Sequence, residues 1–233
     1  MTSTSTPTRG RAPADRTAAV RRPPLAFAAV CALALAAAGC GNERAEFALT
    51  DRAAPPAGFE RWKSPDRDLS FARPKRWLMI EGTPPAVAHV VSGRVVITVW
   101  AFRRDGGAPA PGAELEAAEI ELIEAAQRAE SSFRLASSAR LEVQAAQAVE
   151  LRGSFKLRGV PLAVRSVHAY RGSGEYVVDA LGPPEELERI DGSVIEPLIH
   201  SLLTEGDPRR AANPGRLAFS ETPFARRLIE GER

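Results

Sequence analysis

Hydrophobic and polar positions follow two different periods along the middle of the chain, and together they predict an α+β domain. Three short apolar segments bounded by Pro or Gly have the length and composition of strands: Leu69–Ala72, Trp77–Ile80 and Val87–Val91. A longer segment, Arg94–Phe102, is apolar on both of its alternating faces, which is typical of a central strand covered on each side. The first half of the domain is therefore predicted to be sheet.

A helix is predicted after a loop at residues 103–111, because apolar residues then recur at close to the helical period: Leu115, Ala118, Leu122, Ala126 and Ala129. Five glutamates mark its first turns: Glu114, Glu116, Glu119, Glu121 and Glu124. Their spacing spreads them around the helix, and no His or Asp accompanies them. The pattern favours a solvated acidic face over a metal site.

Three further strands are predicted in series, at Ala146–Leu157, Leu162–Tyr170 and Glu175–Leu181. The breaks between them are short and glycine-containing, so the spacing indicates an antiparallel meander. Ser173 lies between two glycines in the second break. This is not the G-x-S-x-G nucleophile elbow, and it precedes a strand instead of a helix, so Ser173 is predicted to be a turn residue.

A final helix follows Pro183-Pro184, with one apolar stripe: Leu187, Ile190, Val194, Leu198 and Leu202. Gly192 and Pro197 both oppose an uninterrupted helix, and Ser193 and Glu196 have the spacing of a capping box. We therefore expect a kink or a fresh start near Gly192.

The first 39 residues contain the three parts of an export signal. Five arginines precede an uncharged stretch of 14 residues, Leu25–Ala38, and small residues follow it. A transmembrane helix needs roughly 20 apolar residues, so this stretch is short for one. Residues 37–40, Ala-Ala-Gly-Cys, resemble the lipobox of bacterial lipoproteins, although Ala37 stands where Leu is usual. The resemblance implies acylation of Cys40 at the membrane; the alternative is ordinary cleavage after Ala38 and secretion of a soluble protein.

Removal of this leader changes the charge and the cysteine content of the chain. The sequence has 31 basic and 29 acidic residues, and the leader holds five Arg and one Asp, which leaves 26 basic and 28 acidic residues. No nucleic-acid partner is predicted, because such binding requires clustered basic residues. Cys31 is lost with the leader, so Cys40 remains without a partner for an internal disulfide.

The composition divides the chain into four parts. Residues 1–39 are the signal peptide, residues 40–64 a Pro- and Ala-rich tether for a lipid-anchored protein, residues 65–204 the α/β domain, and residues 205–233 a Pro-, Gly- and Arg-rich tail predicted to be disordered. Phe59 and Trp62 lie in the tether and are expected to pack back on the domain. If they instead border a cleft between the sheet and the Glu-rich helix, that cleft is where an apolar ligand would bind.

Two segments of the domain carry a family resemblance. Phe71, Pro74 and Trp77 form an F-x-x-P-x-x-W pattern that resembles the opening strand and turn of the PsbP-like fold, and residues 186–203 resemble its closing helix. The resemblance implies an α/β/α sandwich with a mainly antiparallel sheet of about six strands and two main helices. It also implies a non-enzymatic binding or accessory domain.

No catalytic, cofactor-binding or metal-binding residue is predicted. His89, His168 and His200 each stand alone in their segment, without a second His or Cys at a ligand spacing. Each is expected to be a solvent-facing or hydrogen-bonded structural residue. Glycine-rich phosphate-binding loops are also missing from the sequence. We therefore expect neither enzymatic activity nor a cofactor.

The predicted function is that of a cell-envelope lipoprotein, anchored on the extracytoplasmic face of the membrane, which acts as a non-enzymatic interaction or accessory module. Its partners would be the membrane, through the lipid on Cys40, and an envelope protein. The alternative is a binder or carrier of an apolar envelope molecule such as a lipid.

Overall fold

A computed structural model describes residues 54–64 and 69–204. These residues belong to one compact unit, Glu46–Arg233. The predicted signal peptide, Cys40, most of the tether and the tail at residues 205–233 lie outside the described residues. No helix within the described ranges is both long enough and apolar enough to span a membrane.

The described chain forms two antiparallel sheets and two helical segments. The elements in chain order are β1 (Phe59–Lys63), β2 (Leu69–Pro74), β3 (Leu78–Glu81), β4 (Ala86–Ser92), β5 (Val95–Arg103), α1 (Ala113–Ala129), β6 (Arg134–Val143), β7 (Ala146–Leu157), β8 (Val160–Arg171), β9 (Gly174–Gly182), α2 (Pro184–Ile190), a π-helical turn (Asp191–Ile195), α3 (Glu196–His200) and β10 (Leu203–Thr204). The larger sheet has the order β3-β4-β5-β9-β8-β7-β6, and the smaller one has the order β1-β2-β10.

The two helical segments lie on opposite faces of the larger sheet. Neighbouring side chains on a strand point to opposite faces. Val149 of β7 belongs to a buried cluster with Leu122 of α1, whereas the preceding Ala148 belongs to a cluster with Leu198 of α3. The molecule is therefore the predicted α/β/α sandwich with a mainly antiparallel sheet. The larger sheet has seven strands, one more than the expected number of about six.

The acidic residues of α1 contribute to the packing of this helix. Glu116 and Glu119 lie 3.5 and 3.1 Å from the guanidinium of Arg140 on the edge strand β6, and Glu124 pairs with Arg128 one turn along the helix. Among the described residues, no group of three His, Cys, Asp or Glu side chains is placed to hold a metal ion. Part of the acidic face therefore fastens the helix to the sheet.

The final helical segment is interrupted near Gly192, as predicted, but the predicted capping box is wrong. No side-chain hydrogen bond caps α3. Instead the helical backbone continues through the π turn, in which the N–H of Glu196 donates to the carbonyl of Asp191. Pro197 lacks an N–H, and its ring would clash with a carbonyl one α-helical turn earlier, so an extra residue in the turn relieves both problems.

The folded region begins earlier than residue 65, inside the segment predicted to be a tether. β1 pairs with β2 from Phe59 opposite Pro74 to Lys63 opposite Ser70. Trp62 packs on Phe71, with ring centroids 5.1 Å apart, and contacts the core cluster that contains α2 and α3. Trp62 therefore packs on the domain, as expected. Because α1 lies on the other face, Trp62 does not border a cleft beside the Glu-rich helix, and the alternative location for a ligand site is wrong.

Candidate functional site

A row of polar side chains crosses the centre of the larger sheet. His89, Thr98, Asp179 and Ser166 lie directly opposite one another on β4, β5, β9 and β8. The next residue in the row is Leu151, which packs in the cluster of α1, so the row lies on the α1 face of the sheet. All four polar residues are buried. Buried polar groups require partners, and these groups bind one another.

Five side chains form a connected hydrogen-bonded cluster, which we call the His168 network: Ser166, His168, Glu175, Asp179 and Arg104. Ser166 Oγ lies 3.0 Å from His168 Nε2 and 2.5 Å from Asp179 Oδ1. His168 Nδ1 lies 2.7 Å from Glu175 Oε1. The other oxygen of Glu175 accepts a hydrogen bond of 3.0 Å from Arg104.

The hairpin between β8 and β9 positions four members of this network. Arg171 pairs with Gly174, so Gly172 and Ser173 form a two-residue turn, and Gly172 has the positive φ (58°) that such turns require. This register sets Ser166 opposite Asp179. Residues two apart share a face, which brings His168 beside Ser166.

Arg104 joins the network from the loop after β5. Its backbone N–H donates to the carbonyl of Ser173 (2.7 Å), so the loop is attached to the hairpin turn. Its guanidinium also donates to the carbonyl of Gly107 and lies 5.2 Å from the centroid of the Tyr170 ring. The cation is therefore held by a carboxylate, a carbonyl and an aromatic face.

The surroundings of Glu175 and Asp179 shift the pKa values of these two buried carboxyl groups in opposite directions. Burial alone would raise the pKa of Glu175, but the hydrogen bonds and charges of His168 and Arg104 outweigh it and hold that pKa below its usual range. Burial raises the pKa of Asp179 above its usual range despite the nearby charge of His168 and hydrogen bond of Ser166. Glu175 is thus the ionised member of the pair, and Asp179 is the one that retains a proton more readily.

Two arrangements of protons satisfy the hydrogen bonds between Asp179 and Glu175. In the first, protonated Asp179 donates to Ser166, the hydroxyl of Ser166 donates to Nε2 of His168, and Nδ1–H donates to Glu175. In the second, Asp179 is ionised and accepts from Ser166, while doubly protonated His168 donates at both nitrogens. The two arrangements have the same net charge and differ only in whether one proton is on Asp179 or on His168.

Ser166, His168 and Glu175 are connected in the same order as the nucleophile, base and orienting carboxylate of a catalytic triad. Ser166 is only 1% exposed, however, and a nucleophile must reach its substrate. Its oxygen also lies 2.5 Å from Asp179, so an oxyanion forming beside it would face a carboxyl group instead of the N–H donors that stabilise one. The geometry fits a polar core that specifies strand register better than a site of acyl transfer.

A second polar cluster, which we call the ion-pair ring, lies on the opposite face of the sheet. Arg165 binds Glu150 and Asp191, each at 2.7 Å, and Arg152 binds the same two carboxylates at 2.6 and 2.8 Å. Burial alone would raise the pKa of Asp191, but hydrogen bonds from both arginines hold it below its usual range. Because Asp191 begins the π turn, the ring attaches that turn to β7 and β8.

A small recess lies at the end of the sheet where β8 meets β9. Its enclosed space is about 10 Å³, which is room for roughly one water molecule. The residues that line it are Val143, Gln144, Ala146, Ala169, Arg171, Tyr176, Leu202 and Thr204. Drug-sized ligands usually occupy about 300–1,000 Å³. The recess is therefore smaller than a typical ligand pocket.

The structure places the residues singled out from the sequence in different settings. Cys40 lies outside the described residues. Ser173 is the turn residue that was predicted, His89 Nδ1 lies 3.0 Å from Thr98 Oγ1, and His200 Nε2 lies 3.6 Å from Glu196. His168 is hydrogen-bonded and structural, as expected, but its link to Glu175 was missed. The signal for it is a polar residue at an inward position of an apolar strand.

Comparisons with known proteins identify the fold. The sequence matches no protein-family model, and no curated protein matches it. Among solved structures, the chain is similar to CyanoP, the cyanobacterial PsbP of Synechocystis sp. PCC 6803, with 8% identity and a TM-score of 0.50 over 66% of this chain and 96% of that chain. The chain therefore has a PsbP-like fold.

Two other solved structures are similar at lower scores. LpqN of Mycobacterium tuberculosis, described as involved in cell envelope biogenesis, has 14% identity and a TM-score of 0.44 over 58% of this chain and 82% of that chain. The Ran-binding protein Mog1p of Saccharomyces cerevisiae has 7% identity and a TM-score of 0.44 over 62% of this chain and 94% of that chain.

Proposed function

We propose that this chain is an envelope lipoprotein, anchored through diacylglycerol on Cys40, whose PsbP-like domain is a non-enzymatic interaction or accessory module. The arginine-rich leader, the apolar stretch Leu25–Ala38 and the small residues before Cys40 support the anchor. Residues 41–58 separate Cys40 from β1, and a chain of this length spans at most roughly 60 Å. The anchor would thus keep the domain close to one membrane surface.

The geometry of Ser166 is the observation that carries the non-enzymatic part of the proposal. This hydroxyl is the candidate nucleophile of the His168 network, and it is buried between His168 and Asp179. A buried network whose members satisfy one another stabilises a unique core. The polar groups of the network therefore stabilise the fold, and we propose that partners bind to surface residues.

Mild crosslinking of the native protein in its own membranes, followed by purification, tests the interaction role. The proposal predicts that one protein partner is recovered reproducibly with the acylated chain and less of it with a Cys40→Ser variant, because the variant is not held at the membrane. Repeated recovery of the monomer alone would contradict the role.

A serine-directed fluorophosphonate tests the non-enzymatic part separately. The expected result is no covalent label on Ser166 in the native protein, with a serine hydrolase as the positive control. A label at Ser166 that is lost in Ser166→Ala would show an activated nucleophile and refute this part of the proposal.

A further inference from the structure

The chain enters the domain through Gly58 and β1 at one end of the larger sheet, which we call the tether end. The backbone N–H of Lys75 in the β2–β3 turn donates to the carbonyl of Gly58, immediately before β1 (3.0 Å). The register of the sheet, followed strand by strand from β3 to β7, shows that the β4–β5 and β7–β8 turns lie at the same end. The chain therefore enters the domain, from the side of residue 40, at this end.

Exposed cations outnumber exposed acids at the tether end. The cations in or beside its turns are Lys75, Arg76, Arg94, Arg134, Lys156 and Arg158. The acids nearby are Glu60, Glu130, Glu185 and Glu186. Glu60 is bound to Arg73. Glu186 is bound to Arg94, and Glu130 accepts hydrogen bonds from Ser132. The excess of positive charge is notable because the chain after the leader is slightly acidic.

Apolar side chains accompany these cations. Leu78 is 60% exposed and Val160 is 42% exposed, which makes them two of the three exposed large hydrophobic residues of the described chain. Trp77, next to Leu78, is half-buried against the core. Cations beside Leu, Val and Trp are the combination that binds the interface of an anionic bilayer, where the charges meet lipid headgroups and the apolar groups enter the boundary with the acyl chains.

The β2–β3 turn presents its two cations on a fixed backbone. The N–H of Trp77 donates to the carbonyl of Pro74 (3.2 Å), which closes the turn around Lys75 and Arg76. The guanidinium of Arg73 donates to the carbonyl of Trp77 (3.1 Å) and also pairs with Glu60 of β1. Less conformational freedom is therefore lost when this turn docks than when a free loop does.

We propose that the tether end docks on the anionic phospholipid surface of the membrane that holds the anchor, with Lys75, Arg76 and Leu78 in contact with it. This inference rests on the proposed function, because the anchor brings that surface within reach. The docked domain would then expose its opposite end, with the recess, to partners in the envelope.

Vesicle co-sedimentation tests the docking without the anchor. The protein is the processed chain, residues 40–233, with Cys40→Ser so that it cannot be acylated; all of the described contacts lie within it. The vesicles are phosphatidylcholine with and without phosphatidylglycerol. We expect binding only to the phosphatidylglycerol vesicles, with a loss at high salt, because a surface potential is screened within a Debye length.

The matched variants compare the two ends of the sheet. Lys75→Gln with Arg76→Gln should weaken binding by about 30-fold, which corresponds to about one cation's electrostatic contribution at each position. Arg103→Gln with Arg171→Gln removes the same charge from exposed positions at the opposite end. This control should change binding less than about threefold, because those positions lie beyond a Debye length from the membrane. Circular dichroism checks that both variants are folded.

Three results would overturn the docking. The first two are equal binding to both kinds of vesicle and equal losses of binding in the two double variants. The third is no binding to phosphatidylglycerol vesicles, including the case in which Lys75 and Arg76 bind an acidic envelope protein instead. None of these results bears on the anchor. Absence of diacylglycerol on Cys40 of the native protein would refute the anchor and leave the vesicle result to stand by itself.

Discussion

Replacement of Glu175 by Gln is expected to destabilise the fold more than any other conservative change in the His168 network. Glu175 is fully buried and binds both His168 (2.7 Å) and Arg104 (3.0 Å). Gln keeps the shape of the side chain and removes its charge. Arg104 then loses its carboxylate partner, and His168 loses the charge that it faces.

The expected loss follows from the exposure of Arg104. Breaking a buried ion pair by removing one partner costs roughly 3–5 kcal/mol, because the other charge stays buried. The side chain of Arg104 is 23% exposed and also contacts Tyr170 and Gly107, so water and these groups offset part of the loss. We expect Glu175→Gln to lower the free energy of unfolding by about 2–3 kcal/mol at pH 7.

The loss should depend on pH. The pKa of Glu175 is held below its usual range in the folded protein, so its contribution is complete above the unfolded value, roughly pH 4.3, and disappears as the pH falls through the folded value. The variant has no such contribution to lose. Its deficit relative to the native chain should therefore shrink as the pH is lowered from 5 towards about 3.

Urea unfolding of the processed chain, followed by circular dichroism between these pH values, measures both quantities. Glu142→Gln on the edge strand is the matched control, because Glu142 is exposed, and such surface changes usually stay within about 0.5 kcal/mol. A deficit for Glu175→Gln below about 1 kcal/mol, or one that is independent of pH, would refute the role assigned to this carboxylate.

Two further substitutions test other parts of the fold. Asp191→Asn removes a charge from the ion-pair ring and should lower the free energy of unfolding by about 1.5 kcal/mol at pH 7, with faster hydrogen exchange across the π turn. Because the pKa of Asp191 is held low, this loss should shrink below roughly pH 4. Unchanged hydrogen exchange would contradict the attachment of the π turn to the sheet. Gly153→Ala places a Cβ 2.6 Å from the ring of Phe133 and should lower the free energy of unfolding in urea by about 1–3 kcal/mol. In the control Gly192→Ala, the new Cβ meets no atom within 4 Å, so this change should be neutral or slightly stabilising. Equal effects of the two alanines would contradict the packing of Gly153 against Phe133.

Part of the His168 network follows from the sequence once the hairpin is recognised. A two-residue turn at Gly172 and Ser173 pairs Arg171 with Gly174, and counting back along both strands sets Ser166 opposite Asp179. Polar residues at inward positions of these apolar strands then need partners. A search for ligand or base partners within each segment misses them, because the partner of each residue lies on the neighbouring strand.

Other contacts depend on packing that local patterns do not encode. Asp191 reaches Arg165 only because the final helical segment lies across β8, and Arg104 reaches Glu175 because its loop folds over the hairpin turn. Strand β6 (Arg134–Val143) was not predicted from the sequence, for a physical reason. β6 is an edge strand with mostly exposed residues, so it lacks the alternation that predicts a strand.

The proposed lipid anchor can be tested by mass analysis of the amino terminus of the native protein, purified from its own membranes. We expect a chain that begins at Cys40 and carries diacylglycerol on the thiol, and a Cys40→Ser variant without this added mass. An unmodified chain that begins near Gly39 would contradict the anchor and would make the protein a secreted one.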